Sequence, residues 1–266
     1  MINKKQRAKG VIIIGALLLL ISLCVLQYNE KSLVTNANID KTIGWGLKGA
    51  TNNMKPDVGS SNKKILEDNG GICLGKDTEK VIYLTFDEGY EAGYTENILN
   101  TLKQNDVKAT FFITAHYLNT AEKLVERMIN EGHIVGNHTS THPSMPCITD
   151  SEIEKEVMQL HHAVYEKFNY EMKYIRPPKG EFNQRTLKKS EKLGYKTVMW
   201  SFAYFDWDEK KQPSIEEAKN MIVNNFHCGE IMLLHPNSKT NSEVLDTIIK
   251  EAKTQGYEFK LLDLFK

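Results

Sequence analysis

Five short stretches of this 266-residue chain carry side chains able to do chemistry. Asp87 and Glu88 stand side by side before Gly89, and His138 and His142 are separated by three residues. Arg176 opens the run Arg176-Pro177-Pro178-Lys179-Gly180, Asp206 precedes Trp207, and His235 precedes Pro236. Two imidazoles four residues apart can lie on one side of a helical turn, a spacing that suits a metal ion. The pair is not the H-E-x-x-H protease motif, because Thr139 occupies the place of the Glu. Two neutral histidines and a carboxylate can hold a divalent ion with open positions for water and substrate. A second carboxylate can take a proton from the water, and a histidine across the site can protonate a leaving group. An Arg beside the base and an Asp beside the acid would fix orientation and protonation state. Each stretch also has a structural reading. Asp-Glu-Gly can be a turn, the histidines can be satisfied strand-end residues, Arg176–Gly180 can be a rigid exit loop, and Asp206-Trp207 an exposed acid beside a core aromatic. Taken together they make a coherent hydrolase.

The elements that must position these groups are legible in the hydrophobic pattern. Apolar, β-rich runs fall at 81–86, 109–114, 134–136, 174–176, 197–201, 231–235 and 258–262, with segments of helical periodicity between them. Helix starts are signalled by Asn119 with Glu122, Thr149 with Glu152 and Ser214 with Glu217, and Gly194 is a stop after 184–193. Seven strands alternating with six helices predict an α/β fold with a parallel sheet and right-handed crossovers, either a barrel or an open doubly wound sheet. No G-x-G-x-x-G follows the first strand, so the dinucleotide fingerprint is absent. The reactive residues all follow strand ends, where a βα barrel gathers its active site. His116, His133, His161, His162 and His227 follow no such pattern and are read as structural or solvent-exposed.

Composition narrows the function classes. The chain has 34 Lys+Arg against 34 Asp+Glu, which argues against nucleic acid as a partner. At 41% hydrophobic and 26% charged it is not disordered. Its 4 cysteines include no C-x-x-C pair, so neither a disulfide scaffold nor a thiolate zinc ribbon is expected, and Cys73, Cys147 and Cys228 read as small buried or loop thiols. Lys4, Lys5, Arg7 and Lys9 precede an uncharged apolar run over 11–26, the pattern of an export signal. No good A-x-A cleavage site follows, which favours an uncleaved membrane anchor with the basic end in the cytoplasm and the rest outside. A secreted, processed form is the alternative. The expected organisation is 1–28 basic end and anchor helix, 29–42 stalk, 43–80 irregular extension packed on the domain, and 81–266 catalytic domain.

Thr85-Phe-Asp-Glu-Gly89, His138-Thr-Ser-Thr-His142, Arg176-Pro-Pro-Lys-Gly180, Asp206-Trp207 and Leu233-Leu-His235 resemble, in order, the five motifs of the polysaccharide deacetylases with a NodB-type domain, carbohydrate esterase family 4. The resemblance covers about residues 80–266. It implies a distorted seven-stranded (β/α) barrel and metal-dependent N-deacetylation of an acetylated sugar. It implies further that Asp87 is the general base held by Arg176, and that Glu88, His138 and His142 hold a divalent ion of the Zn, Mn or Co class. His235 looks like the general acid tuned by Asp206, Trp207 like a wall of the acetyl pocket, and the Lys179 backbone N–H like the oxyanion donor. At position 88 the family usually has Asp, and one subgroup often has Asn. Glu, one methylene longer, is expected to reach the ion directly or through water. Leu84–Thr95, Gly132–His138 and Trp200–Trp207 are similar to that subgroup, the delta-lactam-biosynthetic de-N-acetylases of spore formers, as is the stretch around Gly44-Trp-Gly46. Those enzymes act on muramic acid residues of peptidoglycan after an amidase has removed the peptide stem. The implied partners are therefore glycan strands, such an amidase as functional neighbour, and the membrane. Two other readings stand beside this one: a deacetylase of N-acetylglucosamine units or chitin-type oligosaccharides, and a catalytically dead wall-binding protein. Retention of Asp87, Arg176, Asp206 and His235 argues against the latter.

Overall fold

The structure, a computed structural model, describes residues 41–48 and 53–265. The basic end, the apolar run and nearly all of the expected stalk lie outside the described residues. Among the described residues no helix is long and apolar enough to cross a membrane. The strands are β1 (Ile43–Gly44), β2 (Val81–Glu88), β3 (Thr110–Ile113), β4 (Ile134–Asn137), β5 (Tyr174–Ile175), β6 (Glu181–Phe182), β7 (Lys196–Thr197), β8 (Glu230–Leu234) and β9 (Glu258–Phe259). The helices are α1 (Ser60–Glu67), α2 (Thr95–Gln104), α3 (Ala115–Thr120), α4 (Glu122–Asn130), α5 (Asp150–Phe168), α6 (Gln184–Lys192), α7 (Ile215–Val223) and α8 (Lys239–Thr254).

All seven expected strands are present, and they form one parallel sheet in the order β7-β5-β4-β3-β2-β8, with β9 pairing the start of β2. The expected barrel is corrected in one respect: no continuous ladder joins β7 to β8, so the sheet is curled and open there. The run expected as a strand over 197–201 stops at Thr197. Beyond it the backbone makes single bridges, Val198 to Ile72 and Phe202 to Met232. Ser201 N–H and Phe202 N–H both donate to the Ile231 carbonyl, at 2.9 and 3.2 Å, so an irregular segment spans the gap.

The parity of each strand decides what faces the site. Ile82, Leu84 and Phe86 of β2, Phe111 and Ile113 of β3, Val135 of β4, and Met232 and Leu234 of β8 pack in one large core with α2, α4, α5, α7 and α8. Val81, Tyr83, Phe112, Ile134 and Ile231 alternate with them and form a separate cluster on the concave side. Side chains one residue apart on a strand point to opposite faces. Continuing the concave set to the C-terminal strand ends leads to Asp87, near the end of β2, and to His138 and His235, just past β4 and β8. Continuing the helix-facing set leads to Glu88 and Asn137.

Two expected boundaries shift. Thr149 and Ser214 form complete capping boxes with Glu152 and Glu217. Asn119, however, lies inside α3, whose cap is Thr114, accepting from Tyr117 N–H at 3.2 Å. α4 starts at Glu122 behind an uncapped kink at Ala121. The extension expected to be irregular contains α1, whose only fully apolar pair, Ile65 and Leu66, joins Trp45, Phe182, Leu187 and Met199 in a third cluster. β1 pairs antiparallel with β6, Ile43 opposite Phe182 and Gly44 opposite Glu181. Cys73, Cys147 and Cys228 are free thiols.

Candidate active site

The strand ends surround a cavity of about 490 Å³, lined among others by Asp87, His138, His142, Lys179, Trp207 and His235. Arg176 and Asp206 stand directly behind it, both 0% exposed. Eight of the nine residues expected from sequence are thus brought together.

Asp87 Oδ1 accepts from Arg176 Nη1 at 2.8 Å, and Asp87 Oδ2 lies 3.6 Å from His138 Nε2. Arg176 reaches Asp87 from the end of β5. Its guanidinium lies 4.3 Å from the Phe112 ring centroid, and its Nε donates to the Val198 carbonyl at 3.2 Å. Burial alone would push the Asp87 carboxyl up; the Arg176 charge and hydrogen bond, with His235 across the cavity, outweigh it and hold the carboxyl below its usual value. The group therefore stays an ionised, acceptor-only carboxylate, as a base must be.

His138 and His142 sit on a loop with two residues other than glycine in the left-handed region, Thr139 at φ 64° and His142 at φ 60°. A β-branched residue there is uncommon and must be held. Asn137 Oδ1 accepts from Thr139 N–H at 2.8 Å, while Asn137 Nδ2 donates to the Val157 carbonyl in α5 at 2.9 Å. Glu156, also in α5, accepts from both Thr141 N–H and Thr141 Oγ1, each at 2.7 Å. The loop so clamped sets the two rings 4.8 Å apart. Burial lowers both imidazoles, His142 to about 4, so both are neutral at pH 7. His138 Nδ1 lies 2.8 Å from the Arg176 carbonyl, which assigns it the proton and leaves Nε2 free toward the cavity.

On the opposite wall, Asp206 accepts from His235 N–H at 2.8 Å and from His235 Nδ1 at 2.7 Å. Asn241 Nδ2, from the first turn of α8, adds a third bond to Asp206 at 2.6 Å. Burial pulls the His235 imidazole down, but the charge and hydrogen bond of Asp206 outweigh it, and the net shift is upward. Asp206 thus favours the protonated form of His235 relative to a free imidazole. Trp207 stands over it with ring centroids 6.1 Å apart. Lys179 holds φ 60° and ψ 7° in the turn that follows Pro177-Pro178. Gly180 beside it is pressed against Trp200 and Trp45, and its carbonyl accepts from Trp45 N–H at 2.8 Å.

Glu88 is placed elsewhere. Its carboxyl meets Thr95 Oγ1, the first residue of α2, at 3.4 Å, and its Oε2 has no hydrogen-bond partner. Burial, with Glu91 and Asp87 nearby, pushes it well above the usual value and favours the protonated form. Strand parity explains the placement, since Glu88 follows the helix-facing residues of β2. Among the described residues no group of three His, Cys, Asp or Glu side chains is disposed to hold a metal ion. The two imidazoles fit a divalent ion in tautomer and charge; the expected three-ligand set, with Glu88 turned away, does not.

Several residues of the site carry no signal of their own in the sequence. Asn241 and Glu156 are polar helix positions, distinguishable only once the helices are docked. Asn237 joins two rim residues, donating to Tyr90 Oη at 2.9 Å and to the Trp207 carbonyl at 2.8 Å. Tyr90 and Trp200, also in the cavity wall, fall within 84–95 and 200–207, where sequence similarity carries no information on contacts.

The polysaccharide deacetylase family profile matches residues 74–198. The peptidoglycan-N-acetylmuramic acid deacetylase PdaA of Bacillus subtilis is 40% identical over 225 residues, which cover 84% of this chain and 86% of that protein. A solved structure of Bacillus subtilis PdaA, a family 4 carbohydrate esterase, superposes with a TM-score of 0.82, covering 84% of this chain and 96% of that one. A family 4 carbohydrate esterase structure from Bacillus anthracis gives a TM-score of 0.70 at 39% identity, covering 84% and 95%. A peptidoglycan-N-acetylglucosamine deacetylase of Bacillus cereus is 34% identical over 201 residues, 74% of this chain and 93% of that protein.

Proposed function

The chain belongs to the polysaccharide deacetylase family, and from that membership we propose that it removes the N-acetyl group from muramic acid residues of peptidoglycan whose peptide stem is absent. The observation that carries the chemistry is the pairing across one cavity of a carboxylate kept ionised by Arg176 with an imidazole whose protonated form Asp206 favours. Asp87 takes a proton from the attacking water as its oxygen bonds to the acetamide carbonyl carbon. The Lys179 N–H faces the developing oxyanion, a role for a fixed donor. His235 delivers a proton to the nitrogen as the C–N bond breaks, leaving acetate and a free amine. Trp207 walls the acetyl group. On the sugar, the freed amine and the lactyl carboxylate are the two halves of the muramic δ-lactam of spore cortex, so an amidase that strips the stem is the functional neighbour. The basic and apolar N-terminus supports membrane attachment with the domain outside the cytoplasm.

The muramic assignment rests on the 40% identity to PdaA and on the subgroup motifs. A second reading, N-acetylglucosamine deacetylation, is favoured by the 34% identity to the Bacillus cereus enzyme. Mass spectrometry of glycan fragments after incubation with amidase-treated peptidoglycan separates them. Loss of acetyl from muramic acid is expected; loss confined to glucosamine refutes the assignment.

A further inference from the structure

We infer that the Lys179 side chain reads the lactyl carboxylate of the substrate, and so makes the enzyme select muramic acid freed of its peptide. The inference rests on the muramic reading above and extends it from a backbone role of Lys179 to a role of its ammonium group.

Several positive or potentially positive groups line or back the cavity, and all but one are committed. Arg176 is buried and paired with Asp87. His235 is bonded to Asp206, His138 Nδ1 lies 2.8 Å from the Arg176 carbonyl, and the His142 ring packs on the His138 ring with centroids 4.8 Å apart. Lys179 alone is exposed on the wall, with no carboxylate among the described residues in ion-pair contact. It lines the same cavity as Asp87, His138 and His142. Its backbone is left-handed, a conformation that glycine adopts freely and lysine does not. A strained position filled by a long cation rather than by glycine points to use of the side chain.

The substrate supplies the complement. On a muramic acid ring the acetamide and the lactyl ether occupy adjacent carbons, so a group beside the acetamide is also beside the lactyl end. With the stem removed that end is a carboxylate; with the stem present it is a neutral amide. N-acetylglucosamine has a hydroxyl there. A lysine ammonium at this point therefore favours denuded muramic acid over both alternatives, through one charge-assisted hydrogen bond.

The test compares two muramic-containing glycan fragments, one with a free lactyl carboxylate and one with that carboxylate converted to a methylamide. kcat/KM is measured on both for the full-length protein, Lys179→Gln, Lys179→Arg and Lys179→Gly, the last supplying a variant whose backbone suits the turn. The protein is expected to prefer the carboxylate by about tenfold or more, the scale of a charged hydrogen bond. Lys179→Gln and Lys179→Gly should level the two rates, and Lys179→Arg should keep the preference. A neutral variant that retains the full preference overturns the inference, as does equal use of both fragments by the unaltered protein. If the unaltered protein acts on neither fragment but deacetylates N-acetylglucosamine oligomers, the muramic reading falls and this inference with it.

Discussion

Replacing Asp206 with Asn tests whether His235 is the acid and whether its proton is held there by the buried carboxylate. Asp206 is 0% exposed and receives three N–H donors, from His235 N and Nδ1 and from Asn241 Nδ2, at 2.8, 2.7 and 2.6 Å. An amide can accept on only one of its two sides, so at least one donor loses its partner. A hydrogen bond to a charged group contributes about 1.5–3 kcal/mol, and one pKa unit corresponds to about 1.4 kcal/mol, so the variant's imidazole should titrate about 1–2 units lower. Burial and the Arg176 charge, both of which lower it, are then opposed only by Asp87. The alkaline limb of the kcat/KM profile, followed by acetate release between pH 5 and 9, should move to lower pH by that amount. Stability should follow the same linkage. In the unaltered protein the raised pKa contributes stability that is complete below the unfolded value of about 6.5 and is lost as pH rises through the folded value. In the variant that contribution is reduced, and the reduction is felt most at low pH, where the unaltered protein has it in full. The difference in Tm between the two proteins should therefore be larger at pH 5 than at pH 8. An alkaline limb that stays in place, with the variant folded, refutes the assignment of His235 as the acid.

Asp87→Asn should reduce turnover by about 10²–10⁴, the range for loss of a general base, and should also destabilise the fold by about 3–5 kcal/mol because Arg176 is left buried without its counter-ion. Turnover and urea midpoint report the two effects, and normal turnover in a folded variant would remove Asp87 from the base role. Gly180→Ala places a Cβ 2.7 Å from Trp200 Cη2 and 3.3 Å from Trp45 Cβ at a φ of +65°, so a stability loss of about 1–3 kcal/mol is expected, with kcat falling more than KM rises. A KM change alone would show that the Lys179–Gly180 turn binds the ground state and not the oxyanion. Glu88→Gln should change zinc affinity, measured by competition with a chelating dye, far less than the 10–100-fold or greater loss expected for His138→Ala. Equal losses in the two variants would show that the Glu88 carboxyl does reach the ion.

The sequence carried the strands well because a parallel sheet covered on both faces writes each strand as a dense apolar run, and β2 is buried at all eight of its positions. Placing Asp87, His138 and His235 after such runs was enough to gather them at one end of the sheet. What periodicity alone did not deliver was the face. Asp87 and Glu88 are adjacent carboxylates in an unbroken buried strand, and nothing in their order says which enters the cavity; the alternation of the two hydrophobic clusters decides it. The break after β7 was equally hidden, because Val198 and Met199 read as strand residues while their backbones bond to Ile72 and, from Ser201 on, to Ile231. Asn241 became a site residue only through the docking of α8, a tertiary event with no local signature.

The pairing of β1 with β6 sets the true edge of the working unit. The family profile begins at residue 74, yet the turn that presents the Lys179 N–H is fastened by residues about thirty positions earlier. Trp45 bonds Gly180 through its backbone, and its indole Nε1 donates to the Trp200 carbonyl at 2.8 Å. Heredity can therefore adjust this enzyme without touching any catalytic side chain. Substitutions within 43–48 alter how firmly the turn is braced while the five motifs remain intact. Recombination that joins a foreign leader at the family boundary would carry over every reactive group but discard the brace. Exchange between related proteins should accordingly be tolerated upstream of residue 43 and resisted between 43 and 74, so the inherited module is longer than the stretch by which the family is recognised.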